Sequence, residues 1–370
     1  MSLPDLTYIA APMVNQSDAP FRLLTRRYGA TLTYTQMLEP CKLLNDREYL
    51  EFHLRDIQAL AQGSGDFDDF GGGWDGYARP LVVQLCGNDP ELVVKAARQV
   101  QTHCDGIDLN LGCPQEHAKD GHFGGYLLGK QDWPLVQSIV SSMSHSLLVP
   151  ASAKIRLCPS SDPMSATAAF GQLLEHAGAS WVTLHARHVS AKRRRQGAAD
   201  LEAVRTLKET LNIPVISNGN VRTSDDVRAN MEYTQADGAM VGETLLGNPT
   251  LFTGGLPDPV LISLEYLDIC KQLPGVASLN TIRTHVRHFV EFQCSRRPWY
   301  AKFRSAISEC QSIRDIEDLL HGGVTRWRGK AAKVLGAKHL VQKESSGVQE
   351  HEDILSSMRC IHSLAGDKIE

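Results

Sequence analysis

The sequence predicts an α/β fold: a closed (β/α)8 barrel of the TIM type followed by a small all-helical domain. Three observations carry that expectation. Short strand-like runs alternate with helix-like segments eight times over roughly 245 residues, the rhythm of a parallel sheet whose crossover helices cover its outside. No glycine fingerprint of the GxGxxG kind follows the first run, which weakens the alternative of an open, doubly wound sheet. Beyond Leu251 the rhythm breaks at Gly254-Gly255-Leu256-Pro257, and Pro259 to about Leu320 contains no convincing strand.

Taken in order, Tyr8 to Ala11 is a short apolar run closed by Pro12, and Asp18 with Pro20 opens a helix that stops at Gly29. Leu32 to Thr35 is the second strand, and a charged, helix-favouring stretch runs from about Asn45 to Ala61. Gln62 to Tyr77 mixes six glycines with four aspartates and has no lysine. Carboxylates would surround any anion held there, so the stretch reads as a surface insertion that binds no nucleotide.

Leu81 to Leu85 is the third strand, and Asp89-Pro90 opens a helix to about Thr102. From Gly106 to Leu111, Ile107, Leu109 and Leu111 alternate with Asp108 and Asn110, the period-2 signature of a strand. Gly112 and Pro114 then bracket a single thiol, Cys113. A glycine-rich loop, Asp120 to Gly125, follows before a helix from Asp132 to about Met143. The later strands are Ala151 to Ile155, Trp181 to His185, Pro214 to Asn218 and Gly238 to Val241. Their helices run over about Pro163 to Ala177, Asp200 to Leu211 and Ser224 to Tyr233.

These boundaries give a barrel over residues 1–252 with an insertion at 62–77, a helical domain over 253–330 and a polar, weakly periodic tail over 331–370. Within the helical part, Leu261, Leu264, Leu267 and Ile269 suggest one helix, and Val286, Phe289, Val290 and Phe292 another. From Arg283 to Lys330 there are ten Lys or Arg against five acids, interleaved with Phe289, Phe292, Trp299, Tyr300, Phe303 and Trp327.

A hydrophobic content of 42% with 22% charged residues is ordinary for a globular chain, and a net charge of −4 points to no class of partner. No apolar run approaches the length of a membrane span. The start, Met1-Ser2-Leu3-Pro4-Asp5, does not read as a signal or transit peptide. Nine scattered cysteines show no CxxC pair and no zinc-finger spacing. The expectation is a soluble cytoplasmic or nuclear protein with reduced thiols, no membrane attachment and no metal.

A barrel collects its reactive groups at the carboxyl ends of its strands. Pro12 and Met13, Gln84, Asn110 with Cys113, Lys154, His185, Asn218 with Gly219 and Asn220, and Gly242 all stand at such ends. Glycine-bearing turns after strands seven and eight are where such barrels bind phosphate. Lys154, across the mouth, would bring a cation to an electron-rich ring. Gln84 and Asn110 each donate and accept, which suits a ring edge of carbonyls and N–H. Flavin mononucleotide fits this rim, and so does a sugar phosphate.

Several of these segments together resemble the tRNA-dihydrouridine synthases. They are Ala11-Pro12-Met13, Val83-Gln84-Leu85 with Gly87-Asn88-Asp89-Pro90, and Gly106 through Gln115. Lys154-Ile155-Arg156, the His185 strand end, Asn218-Gly219-Asn220 and Gly247-Asn248-Pro249 complete the set, in family order. Leu111 through Gln115 and His122-Phe123-Gly124-Gly125 look most like the eukaryotic branch acting on positions 16 and 17 of the tRNA D-loop. The resemblance implies a barrel that uses FMN and NADPH or NADH to reduce the uridine C5–C6 double bond in tRNA. It also implies roles. Pro12, Met13, Gln84, Lys154 and His185 match positions that hold the flavin ring and ribityl chain, and Asn218, Gly219, Asn220, Gly242 and Glu243 match the phosphate turn. Asn110 matches the residue beside flavin and target base, and Cys113 the proton donor.

This chain departs from the family at two places. It has Ala186-Arg187 where the family usually has Gly-Arg, and Gly242-Glu243 where the family often has Gly-Arg. An acid beside a phosphate is unfavourable unless only its backbone N–H is used. The basic segment from Arg283 to Lys330, with Arg187 and Lys192 to Arg195, is the expected tRNA-docking surface. Two rival readings remain: a flavin-dependent reductase of a small molecule, resembling the dihydroorotate or ene-reductase barrels, and a non-catalytic RNA-binding barrel. The first has no use for the basic segment, and the second none for Lys154 and Cys113.

Overall fold

Eight strands pair side by side in chain order: β1 (Tyr8–Ala10), β2 (Leu32–Leu38), β3 (Leu81–Leu85), β4 (Gly106–Leu111), β5 (Ala151–Arg156), β6 (Val182–His185), β7 (Val215–Asn218) and β8 (Gly238–Val241). Every pairing is parallel, and β8 returns to β1 with Tyr8 opposite Ala239 and Ala10 opposite Val241. The sheet is therefore the expected closed barrel, and the open-sheet alternative is excluded. The computed structural model describes residues 3–59, 79–190 and 197–329. The 62–77 insertion, Lys192 to Arg195 and the 331–370 tail lie outside the described residues.

The strands are followed in turn by α1 (Ala19–Arg27), by α2 (Pro40–Asn45) with α3 (Arg47–Ile57), by α4 (Pro90–Val100), and by α5 (Glu116–Asp120) with α6 (Trp133–Ser146). Then come α7 (Pro163–His176), α8 (Leu201–Thr210), α9 (Ser224–Thr234) and α10 (Glu243–Gly247). Local chemistry sets these starts. The carboxylates of Asp89, Asp162 and Asp200 each accept N–H bonds from the first turn of the helix they precede.

Local detail differs from expectation in three places. The stretch from about Asn45 to Ala61 holds the single helix α3, capped by the Asp46 carboxylate accepting from the Tyr49 N–H, but the short α2 just before it was not expected. Helix was expected to resume only near Asp132, but α5 ends at Asp120, where the glycine-rich loop begins, and a short 3-10 turn over Gly124–Leu127 starts at the loop's end. Asp18 does precede α1, but its side chain makes no cap bond. It accepts instead from Tyr266 at 3.0 Å and from the His285 ring at 2.6 Å.

The barrel has two unlike ends. Ile9, Leu32, Tyr34, Val82, Trp181 and Ile216 fill the interior below the pocket, with the Trp181 indole donating to the Tyr34 hydroxyl. Ile107, Leu109 and Leu111 point outward into the layer shared with Val93, Ala97, Val136 and Ile139 of α4 and α6. Asp108 and Asn110 consequently face the interior near its carboxyl end.

Beyond the barrel lie α11 (Pro259–Gln272), α12 (Leu279–Cys294), α13 (Tyr300–Glu309), α14 (Ile313–Asp318), a π turn over Leu319–Val324 and α15 (Thr325–Trp327). Their apolar faces join α1 in one cluster that includes Phe21, Leu24, Tyr266, Val286, Phe289 and Phe303. Ion pairs and hydrogen bonds tie the same seam, including Arg27 and Tyr28 to the Glu265 carboxylate. No helix among the described residues is long and apolar enough to cross a membrane.

Candidate functional site

The strand ends do converge. A pocket of about 200 Å³ at the carboxyl end of the barrel is lined by Pro12, Met13, Lys154, His185, Asn218, Gly219, Asn220, Gly242 and Glu243, together with Arg187. Nine of the twelve residues singled out from the sequence therefore share one cavity. Gln84, Asn110 and Cys113 lie beside it on β3 and the end of β4, where pairing sets Asn110 opposite Lys154.

The floor of the pocket follows from its turn. Gly219 has φ +129° and Asn220 φ +56°, and a Cβ built on Gly219 would come within 2.7 Å of the Ala199 Cβ. Only glycine fits there without strain. The Asn220 side chain brackets Ala199, accepting from its N–H at 2.8 Å and donating to its carbonyl at 2.7 Å. Asn218 donates to the Met240 carbonyl at 2.7 Å, tying β7 to β8.

The walls are cationic. Burial, and then the neighbouring Arg156 charge, bring the Lys154 ammonium down to about 8. Among the described residues Lys154 makes no ion pair within 4 Å, and the Asp108 carboxylate on the neighbouring strand is the acid whose charge partly offsets it. His185 is held neutral by burial and by the charges of Lys154, Arg156 and Arg187. Glu243 opens α10 at the pocket edge. Its carboxylate is outnumbered there by Lys154 and Arg187. Such a cavity suits an anion-bearing ligand, and a planar phosphate-bearing cofactor meets both its cation and its glycine turn.

Beside it runs a ladder of side chains. Cys113 and Gly112 donate their N–H groups to Asn110 Oδ1 at 2.9 and 3.0 Å. Asn110 donates to Gln84 Oε1 at 2.8 Å, Gln84 to Asp108 Oδ2 at 2.8 Å, and the Ser152 hydroxyl to Asp108 Oδ1 at 2.6 Å. The expectation that Gln84 and Asn110 both donate and accept toward a ligand is thereby narrowed. Each amide oxygen is engaged inside the protein, and the second N–H of each amide is what remains to offer outward. Burial pushes the Asp108 carboxyl up to about 6, against the bonds from Ser152 and Gln84.

The thiol of Cys113 is half-buried and raised above its ordinary value, first by burial and against the pull of the Gln115 backbone, Arg156 and Lys154. Arg156 donates to the His188 carbonyl at 2.8 Å. Sequence reasoning missed Asp108, Ser152 and the pocket-lining position of Arg187. An acid in an alternating strand reads as solvent-facing, whereas here the apolar face meets helices and the polar face lines the barrel mouth.

The proposed docking segment divides in two. Phe289, Tyr300 and Phe303 belong to the helical core rather than to a surface. Trp299 and Trp327 are half-buried with ring centres 6.3 Å apart. Arg328 pairs with Asp258, and Arg283 donates to the carbonyls of Ser308 and Cys310. Arg296, Arg297, Lys302, Arg304, Arg314 and Arg326 are exposed.

Residues 9–317 match the dihydrouridine synthase (Dus) family. A mouse protein named tRNA-dihydrouridine(16/17) synthase [NAD(P)(+)]-like is 36% identical over 322 residues, covering 84% of this chain and 63% of its own. The tRNA-dihydrouridine(16/17) synthase [NAD(P)(+)] of Saccharomyces cerevisiae is 35% identical over 290 residues, covering 75% of this chain and 64% of its own. A human tRNA-dihydrouridine(20a/20b) synthase [NAD(P)+]-like protein is 32% identical over 313 residues, covering 84% and 89%. The chain thus spans a little under two thirds of the length of the mouse and yeast relatives.

Proposed function

Because the chain belongs to the dihydrouridine synthase family, we propose that it reduces the C5–C6 double bond of uridine in tRNA to 5,6-dihydrouridine, using bound FMN and electrons from NADPH or NADH. The proposed targets are positions 16 and 17 of the D-loop, in the cytoplasm or nucleus. The observation that carries the proposal is a buried Lys154, in no ion pair among the described residues, facing a cavity with a glycine-bearing turn and standing next to the Asn110–Cys113 loop. The names of the mouse and yeast relatives support the choice of substrate.

The bound flavin would supply the hydride that C6 of uracil needs. The chain's own residues do the rest. Lys154 would stabilise negative charge on the ring, and the second N–H groups of Gln84 and Asn110 would be the donors for its acceptor edge. Pro12 and Met13 would form an apolar wall for the ring, and neutral His185 would hold the sugar chain. Asn218, Gly219, Asn220, Gly242 and the backbone of Glu243 form the phosphate end. Cys113 keeps its proton at neutral pH and delivers it to C5. A stacked base cannot enter such a mouth, so the target nucleotide is turned out of its stack. The helical segment after Leu251 is the proposed tRNA-binding part.

Two outcomes test the reading. Lys154→Met is expected to weaken FMN binding roughly 10- to 100-fold, the worth of one charge-assisted contact, in a fluorescence titration; unchanged affinity would place the anion elsewhere. For tRNA, affinity through exposed arginines and lysines is expected to fall roughly 100-fold between about 50 and about 200 mM salt. Binding indifferent to salt would remove the helical face as the docking surface. The decisive assay is NADPH consumption by the purified yellow protein. Unmodified tRNA is expected to stimulate it, and stimulation by small enones or dihydroorotate-type substrates alone would favour the small-molecule reductase.

A further inference from the structure

The ladder beside the pocket has a fixed direction. Backbone N–H groups only donate, so the Asn110 atom facing Gly112 and Cys113 must be its oxygen. The Asn110 amide nitrogen must then face Gln84, which answers with its own oxygen and presents its nitrogen to Asp108. Each step follows from the one before, independent of how the two amides would be assigned in isolation. The last group has to be an acceptor. Asp108 meets that need with one oxygen while its other takes the Ser152 hydroxyl. All four side chains are buried: Asp108 and Ser152 are fully enclosed, Gln84 is 1% exposed and Asn110 9%.

We propose that Asp108 is a positioning residue that acts through Gln84 and Asn110 to hold the backbone at Gly112 and Cys113, and so aims the Cys113 thiol. Asp108 itself does not face the pocket, and its contribution is orientation. With an acceptor at position 108, both amides are locked and their outward N–H groups point one way. Without it, Gln84 is free to turn over, Asn110 can follow, and an amide nitrogen would confront the Cys113 N–H. Gly125 and Gly124 press against Cys113 from the other side, the Gly125 N–H donating to the Cys113 carbonyl at 3.1 Å. The loop is therefore held between two fixtures, the ladder on the barrel side and Gly124 with Gly125 on the other. The catalytic part of this inference rests on the reading above, and the structural part does not.

The test separates an acceptor from a charge. Asp108→Leu removes both, and Asp108→Asn keeps a carbonyl for Gln84 while losing the charge. Hydrogen exchange in the protein without tRNA is expected to accelerate at Gly112 and Cys113 by about tenfold in the leucine variant, the loss of roughly one hydrogen bond's protection. Peptides from β6 to β8 are expected to exchange as in the parent, and the asparagine variant to stay within about threefold of it. With tRNA, kcat is expected to drop about 100-fold for leucine at unchanged KM, the cost of a misplaced reacting group, and to recover in asparagine. Should the leucine variant not fold, Gln84→Met cuts the ladder in its middle and must speed exchange at the same two amides. Equal behaviour of Asp108→Asn and Asp108→Leu, uniform loosening of the barrel, or unchanged exchange at Gly112 and Cys113 would overturn the proposal. If the parent protein reduces no tRNA, the assigned reaction fails, while the exchange result still decides the ladder.

Discussion

Cys113→Ala is expected to purify yellow and to lose about 100- to 10,000-fold in turnover on tRNA, the usual contribution of a positioned general acid. The expectation has a structural half and a chemical half. Structurally, the loop is shaped by its backbone: Asn110 takes the N–H of residue 113 and Gly125 donates to its carbonyl. Alanine keeps both bonds, and no atom of the pocket lining is removed. Chemically, protonating C5 of uracil needs a group that still carries its proton at neutral pH. A carboxyl with a pKa of about 4 would be almost wholly ionised there. Cys113 is pushed above the ordinary thiol range by burial, against Gln115, Arg156 and Lys154. The acid form is the active one and its pKa is raised. Activity should therefore hold level through neutral pH and fall only as pH rises past the thiol's shifted value. Mixing reduced protein with tRNA and following reoxidation in a single turnover measures this step. A rate in the alanine variant equal to that of the parent would strip Cys113 of the acid role.

Gly238→Ala is expected to cost about 3 kcal/mol or more, the upper range for forced overpacking. A Cβ there would lie 1.7 Å from the Leu6 carbonyl oxygen and 2.8 Å from its carbon. Backbone, not a movable side-chain tip, occupies the space. The clash falls where β8 closes on β1, next to the Ala239 N–H bond to the Thr7 carbonyl. Relief would require the closing strands to part, and a barrel has no spare edge to absorb that. Gly322→Ala is the control, since a Cβ there meets nothing within 4 Å, and it should shift stability by no more than about 0.5 kcal/mol. Urea midpoints of the two variants measure the difference. Equal midpoints would mean that the seam between β1 and β8 can open to admit a methyl group.

Much of the barrel was legible because its signals are redundant. Leu81–Leu85 is apolar except for Gln84, follows Pro80 and is succeeded by a helix that Asp89 caps. Strand ends then collected the pocket, since in a closed parallel barrel all eight carboxyl ends must share one mouth. What escaped was set by tertiary contact. The six-residue α2, opened by Pro40 and ended at Asp46, is too short to show a period ahead of α3. The five-residue α10 is too short to show a period. Asp18 has the sequence of a cap and the job of a seam, because α11 and α12 bring Tyr266 and His285 to it from roughly 250 positions away. The aromatic residues of the basic segment look like a nucleic-acid surface in sequence, yet Phe289, Tyr300 and Phe303 fill the helical core. Asp108 escaped for the same reason: only the partners Gln84 and Ser152, on neighbouring strands, turn a lone acid into the end of a ladder.

The most direct measurement is a map of dihydrouridine in tRNA from cells lacking this protein, with the parent chain or the Cys113→Ala variant returned to them. The expected result is loss of dihydrouridine at D-loop positions 16 and 17, restored by the parent chain and not by the variant. Full dihydrouridine at both positions in the absence of the protein would contradict the account.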